Sequence, residues 1–483
     1  MSVLLWQAYD ELLRSNSGPG RLLKPSHRDL PSPTQDGIPA WLYAGYGIGM
    51  IGERIFRDTP ALLLLVFMTN YLAIPAAIAG VVVFVPKIAM IVFDPLVGSW
   101  SDRLRTRWGR RRPLMLAGAL LTSAAFVLLF HPPAFATVSA RALYMGLMVT
   151  LAFAAYAVFS VPYLTMASEM TSTAEERSRL MSVRVAFMAV GLSVGAYAGG
   201  IVQWAGGGIA GYHTMATILG TVCLTTALFT VIATARARRV DAAEKPISLL
   251  SSFRIVWRNR PYCRLLMVGF LQKLGEGLGY GSFAYLCIYV VHQPLSAMGL
   301  VVLAATIGQI TSQPVWVWLS RRWPRSWVYA LGVIGWCANA LLWLAMDQRP
   351  TWLLVPLGLE AGIAGGALLS ATLSMLADAI VADSAATGIN REGLYSGIWL
   401  AGEKVAFALG ALVVGLMLGA AGFIESTGGV SVAQPHSAVV AIAVTYVGLN
   451  ILVYLSSLLP AWRYQRGMNT SIATAATPLL LVE

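Results

Sequence analysis

Charge is what this chain has least of. Asp, Glu, Lys and Arg make up 12% of the 483 residues and hydrophobic residues 57%, whereas soluble domains carry about 25% charge and 45–50% apolar residues. The shortfall excludes a surface turned wholly to water, so lipid is the expected solvent. Cysteine is as sparse. Cys223, Cys263, Cys287 and Cys337 form no CxxC pair and sit in or beside apolar runs, which makes them small apolar fillers rather than a redox or metal framework. The five histidines, among them His27, His213 and His436, show no metal-ligand spacing, so no metal site is expected. The chain has no Ser/His/Asp set, nucleotide loop or HExxH motif. No catalytic residue and no cofactor follow, and the chain does not read as an enzyme.

The N-terminus lacks the marks of a secretory signal. Met1 to Leu13 has no positive leading segment, and Gln7, Asp10 and Glu11 interrupt its apolar residues. Leu4, Leu5, Tyr9, Leu12 and Leu13 would line one face of an interfacial helix, or the stretch is a weakly ordered tail. Gly and Pro then recur from Gly18 to Pro39, as in a linker.

What the chain has is long apolar runs. They are expected as spans over 41–73, 78–101, 113–131, 138–168, 178–205 and 213–235, and again over 262–291, 296–319, 327–346, 351–377, 392–422 and 436–461. Each is long enough for a membrane helix of about 20 residues. This describes an all-α polytopic membrane protein. Its parts would be a tail over 1–40, a six-helix bundle over 41–235, a linker over 236–261, a second bundle over 262–463 and a tail over 464–483.

The net charge is +12. In a soluble chain that would suggest nucleic acid. Here the basic residues occupy short loops between spans, and none forms a free basic patch with interleaved aromatics, so the expected partner is the lipid bilayer and not nucleic acid. The loops alternate. One set holds Arg103, Arg105, Arg107, Arg110 to Arg112, Arg177, Arg179, Arg236, Arg238, Arg239, Arg321, Arg322, Arg325, Arg463 and Arg466, whereas the opposite set has Arg141 and Arg349 as its clear basic residues. Twelve spans with both termini cytoplasmic satisfy the positive-inside rule.

The halves echo one another. Ser168-Glu169, Glu176-Arg177 and Arg184-Val185-Ala186-Phe187 recur as Ala377-Asp378, Arg391-Glu392 and Lys404-Val405-Ala406-Phe407. Repeats of this kind mark transporters that bind solute between two halves near the membrane midplane.

Several charges fall inside the spans, where each costs at least about 2.5–3.5 kcal/mol on insertion scales. Acids Glu53, Asp58, Asp94, Glu276, Glu360 and Glu403 balance cations Arg54, Arg57, Lys87, Arg184, Lys273 and Lys404 in number. Glu53 with Arg57, and Arg54 with Asp58, are spaced i,i+4 and can pair on one helix; Lys273 and Glu276 are i,i+3. Lys87 and Asp94 are seven apart and share a face. Such a network suits either a carboxylate that alternates between a cation and a proton or a structural charge lattice. After the second span, Gly98, Asp102, Arg103 and Arg107 to Pro113 predict a gate: Gly98 for close helix approach, Asp102 to cap or pair at a neighbouring helix end, and Arg103 and Arg110 reaching acids such as Glu169, with Asp378 in the second half. These contacts would lock one end shut.

Taken together, Tyr46-Gly47-x-Gly49-x-x-Gly52, Asp94-Pro95-x-x-Gly98, Arg107-Trp108-Gly109-Arg110, Val161-Pro162-Tyr163, Glu176-Arg177 with Arg184, Ser374-Met375-Leu376-Ala377-Asp378, Arg391-Glu392-Gly393-Leu394-Tyr395 and Lys404 resemble the major facilitator superfamily, and within it the glycoside–pentoside–hexuronide:cation symporter family (melibiose permease-like). The likeness covers roughly residues 41–463, and Arg110 to Pro113 is also similar to sucrose transporters. The resemblance implies the major facilitator fold, twelve transmembrane helices in two pseudo-symmetric six-helix bundles. It also implies alternating access, a monomer and a bacterial inner membrane.

By position, the resemblance makes Asp94 a cation-site carboxylate, with Lys404 approaching it and Lys87 on its face. Arg184 falls at an arginine near the sugar. Departures follow the same positions. Met90 and Phe93 replace the second cation-site carboxylate and its neighbouring asparagine, so the coupling ion is expected to be a proton and the sodium site lost. Glu53-Arg54 stands for a Lys-Asp pair, and Ser160 for an aspartate that grips sugar hydroxyls. The expected solute contacts are Tyr46, Glu53, Arg54, Ser160, Tyr163, Arg184, Glu276, Tyr395 and Trp399. Arg54, Lys87 and Arg184 leave room for an anionic solute. The first reading is a proton-coupled symporter of a glycoside, sugar acid or similar small solute. The alternatives are an exporter or lysolipid transporter of the same fold, or a non-transporting membrane receptor or assembly factor.

Overall fold

The computed structural model describes residues 38–237, 259–389, 391–430 and 432–476. In the first half, α1 spans Ala40–Asn70, α2 Ala76–Arg103, α3 Arg112–Leu129 and α4 Val138–Met170; α5 spans Ala174–Ala196 and resumes as Ala198–Trp204, and α6 spans Gly208–Ala233. In the second, α7 spans Arg260–Tyr285 and ends in a π turn at Leu286–Val290; α8 spans Ser296–Arg322, α9 Arg325–Leu342, α10 Leu354–Thr387 and α11 Glu392–Ala420. The last rod, α12, begins at His436–Ala443, passes through a π turn at Val444–Leu449 and continues as Asn450–Ala476.

Ten of these rods are long and apolar enough to cross a membrane. The other two, α1 and α7, carry mid-helix charges: Glu53, Arg54, Arg57 and Asp58 on α1, Lys273 and Glu276 on α7. Local chemistry sets the ends. Thr173 caps α5 by accepting from Glu176 N–H, while Glu176 reaches back to Ser172 N–H. Asn259 caps α7 with Pro261 in its first turn, and Gly388 closes α10 in the left-handed region.

Packing repeats with helix number raised by six. The pairs α1–α5, α1–α6, α2–α4, α3–α4 and α3–α6 have counterparts α7–α11, α7–α12, α8–α10, α9–α10 and α9–α12. The halves meet along α1–α7, α2–α11 and α5–α8. Glycines let backbones touch: a Cβ on Gly410 of α11 would lie 2.3 Å from the Gly277 carbonyl carbon on α7.

Two boundaries need correction. The tenth span was expected to end at 377, but α10 runs to Thr387. A tail was expected from residue 464, but α12 continues to Ala476, with Tyr464 and Met468 buried and the Tyr464 hydroxyl donating to Met375 O at 2.7 Å. Those two residues lie one turn apart, so they carry the apolar face past the last apolar run. The expected interfacial helix, His27 and nearly all of the linker lie outside the described residues.

Candidate functional site

A layer of charge lies where the halves meet. On α1, Arg54 sits 3.7 Å from Glu53 and 3.6 Å from Asp58, and Arg57 is 3.3 Å from Asp58. Tyr156 of α4 donates to Glu53 and stacks on Phe56. The expected Arg54–Asp58 pairing is therefore present, whereas Glu53 is held by Tyr156 and Arg54 rather than by Arg57. Across the interface on α7, Lys273 and Glu276 pair at 2.7 Å. The Arg57 side chain is 47% exposed, although it feels the charges of Glu53, Asp58 and, from the other half, Glu276. Its exposure is thus to the space between the halves.

Two cations join the halves directly. Lys404 of α11 makes an ion pair with Asp94 of α2. Lys87 of α2 lies 4.8 Å from the ring of Phe407 on α11 and 5.7 Å from that of Phe153 on α4, a cation–π setting that partly offsets lost hydration. The second oxygen of Asp94, Oδ1, is buried and has no hydrogen-bond partner among the described residues. Met90 lies one turn before Asp94 on the same helix and is buried. Arg184 of α5 rests against the sulfurs of Met50 and Met181 at 3.4 and 3.6 Å and over the ring of Tyr163. Among the described residues it has no carboxylate partner. None of them form a group of three or more metal-ligating side chains.

The layer includes Arg57, Asp58, Lys273 and, near enough to feel the charges of Lys273, Glu276 and Arg57, Glu403 of α11; the expected solute set omitted all four although each was visible as a charge within a span. Other expected contacts turn inward. Tyr46 and Tyr163 stack and donate to each other's backbone carbonyls at 3.0 Å, both fully buried. Ser160 is buried; Tyr395 is packed with Tyr262 and Asn259; Trp399 fills the hollow over Gly269. In this conformation these five shape the walls of each half rather than line an open surface. Glu360 lies beside Gly335 of α9, away from the layer.

Of the gate contacts, the expected reach of Arg110 to Glu169 is present. Arg110 and Arg111 reach Glu169 at 3.0 and 2.9 Å, Arg111 holds Asp102 at 2.6 Å and donates to Ser101, and Arg325 grips Asp378 at 2.6 Å. Every one of these ties lies within a half, so none locks the arginine-rich end across the halves. The hub is buried Arg111, not Arg103, which is exposed. A Cβ on Gly98 would meet Val161 only at 3.8 Å, so no close approach occurs there. The halves are tied instead at the opposite end, where residues 69–76 meet 425–429.

The matches to known proteins accord with this arrangement. A family model described as "MFS/sugar transport protein" matches residues 45–466. An uncharacterized symporter of Synechocystis is 26% identical, covering 88% of this chain and 94% of its own. The isoprimeverose transporter of Lactiplantibacillus pentosus is 25% identical over 80% and 81%, and the glucuronide carrier protein homolog of Escherichia coli 24% over 79% and 84%. Among solved structures, a bacterial homolog of the human lysosomal transporter Spinster aligns with TM-score 0.63 at 13% identity, covering 91% of this chain and 98% of its own.

Proposed function

The chain belongs to the MFS/sugar transport family, and from that premise we propose that this secondary transporter, which is not an enzyme, couples entry of a proton to that of a glycoside, sugar acid or similar small solute. The observation that carries the reading is the Asp94–Lys404 ion pair, which bridges α2 and α11 and leaves Asp94 Oδ1 without a hydrogen bond. A proton on the carboxylate would remove the charge attraction that joins the two helices. Asp94 therefore takes the proton, Lys404 stabilises the deprotonated form, and the seam loosens or tightens accordingly. Met90, buried on the face of Asp94, offers no second carboxylate for sodium.

The solute sits between the halves against Arg57, Arg54 and Arg184. Arg184 rests on thioethers, which are weak acceptors, and so has donor capacity to spare for a solute carboxylate or hydroxyls. Two relatives, an isoprimeverose transporter and a glucuronide carrier homolog, support this solute class. The arginine-rich loops face the cytoplasm of a bacterial inner membrane, and the protein acts as a monomer.

The test is the external pH of proteoliposomes when neutral glycosides, uronides or lysolipids are added, with and without sodium. Alkalinisation triggered by a sugar or sugar acid and abolished in Asp94→Asn is the expected result. Normal uphill uptake by Asp94→Asn would remove the coupling role. A response only to lysolipid would replace the solute class, and uptake of neutral sugar unaffected by Arg54→Ala would remove the anionic version.

A further inference from the structure

The repeat relates the α2–α11 seam to the α8–α5 seam, yet at the end away from the arginine loops the two close differently. At α5–α8 closure is by packing, Gly199 against Leu295 and Gly299 against Tyr197. Among the described residues one hydrogen bond crosses it, from Ser296 N–H to Gln203 Oε1 at 3.2 Å. Beside α2–α11, the α1–α2 and α11–α12 connections pair backbone to backbone. Ala73 N–H donates to Ser426 O at 3.0 Å, Ser426 N–H to Thr69 O at 3.0 Å, Gly428 N–H to Tyr71 O at 3.1 Å and Gly429 N–H to Asn70 O at 3.0 Å. Leu72 and Thr427 form an antiparallel bridge.

Side chains reinforce this ladder. Ser426 Oγ donates to Asn70 O at 2.8 Å, the hydroxyls of Thr69 and Tyr285 meet at 2.8 Å, and Asn70 Nδ2 donates to Tyr289 at 2.7 Å. Glu425 Oε1, from the second half, accepts Ala76 N–H at 3.0 Å, so its carboxylate sits on the N-terminus of α2 in the first half, where the helix dipole favours negative charge. Ala73 holds φ at +49° and Gly428 and Gly429 at +66° and +80°. Glycine adopts that region freely, but an alanine does so only where surrounding contacts impose it.

We propose that this short cross-half ladder is a latch: it holds the end away from the arginine loops closed, with Glu425 as its charged catch, and it unpairs in every transport cycle. The proposal rests on the transport reading above. Pairing suits a reversible closure, because freed backbone groups at that end exchange protein partners for water at small net cost. The α5–α8 seam, held by packing, then separates once the ladder has released.

Two measurements test it, both with Cys223, Cys263, Cys287 and Cys337 replaced. Residues opposite one another on an antiparallel pair lie within disulfide reach, so Leu72→Cys with Thr427→Cys should cross-link on oxidation. Uptake should fall to background and return with reductant, while each single substitution transports in both conditions. Separately, spin labels on Trp204→Cys and Leu300→Cys report the α5–α8 seam, and Glu425→Ala should enlarge their long-distance population. Oxidised protein that still transports would make the ladder a pivot that stays closed, and an unchanged distance distribution in Glu425→Ala would remove the catch; either overturns the proposal. If the reduced double variant moves none of the solutes, the transport reading fails, and the spin-label result, which needs no solute, still decides the latch.

Discussion

At the scale of single residues, the charges were legible and their partners were not. Asp94, Lys404, Glu53 and Arg54 stood out because ionisable groups in an apolar run demand a reason. That Lys404 finds Asp94 across the halves follows from α11 packing on α2, which spacing along the chain cannot report; the resemblance supplied it. Arg111 was one arginine in a run of three. Only the fold makes it the hub, buried and shared by Glu169, Asp102 and Ser101. Its removal takes a buried guanidinium from Glu169, Asp102 and Ser101 at once and leaves Glu169 with Arg110 alone, so Arg111→Ala should cost about 1–3 kcal/mol of stability, read as a lower unfolding temperature in detergent. Arg103→Ala, at an exposed position, should stay within about 0.5 kcal/mol of the parent. Equal losses in the two variants would contradict the assignment of Arg111 as the hub.

At the scale of the helix, the apolar runs predicted each rod to within a few residues for most boundaries, because a membrane span must satisfy its own backbone. The extension of α12 to Ala476 escaped because its face is carried by Tyr464 and Met468, spaced one turn apart among polar residues. Contacts between helices supply a sharper test. Gly410→Val would drive a side chain into the backbone of α7, where even a Cβ lies 2.3 Å from Gly277; overpacking of this kind costs about 1–3 kcal/mol or more, and yield of monodisperse protein should drop. Gly397→Ala, with nothing within 4 Å, should be neutral or gain up to about 1 kcal/mol from helix propensity. Similar behaviour of the two variants would mean that α7 and α11 do not touch there.

At the scale of the whole molecule, orientation is a consequence of loop charge. Trp108 and Trp204 are exposed at opposite ends, at 60% and 78%. A membrane-impermeant thiol reagent should label Trp108→Cys only from the cytoplasmic side and Trp204→Cys only from the outer side, in a cysteine-replaced background. The reverse pattern would invert the topology and the direction of coupling with it.

The sequence by itself determined the solvent, the helices, the twofold repeat and the cast of charged residues, since all of these follow from hydropathy, spacing and the cost of a charge in hydrocarbon. Only the tertiary structure decided which charges meet, that Tyr46, Tyr163 and Tyr395 turn into the walls of each half, and which end is tied. The arginine motifs suggested closure at their own end. Their side chains instead find acids within reach on the same bundle, while the ladder between residues 69–76 and 425–429 closes the other end. It is built largely of backbone groups whose pairing depends on where two distant loops are brought together, and residue identity carries little record of that.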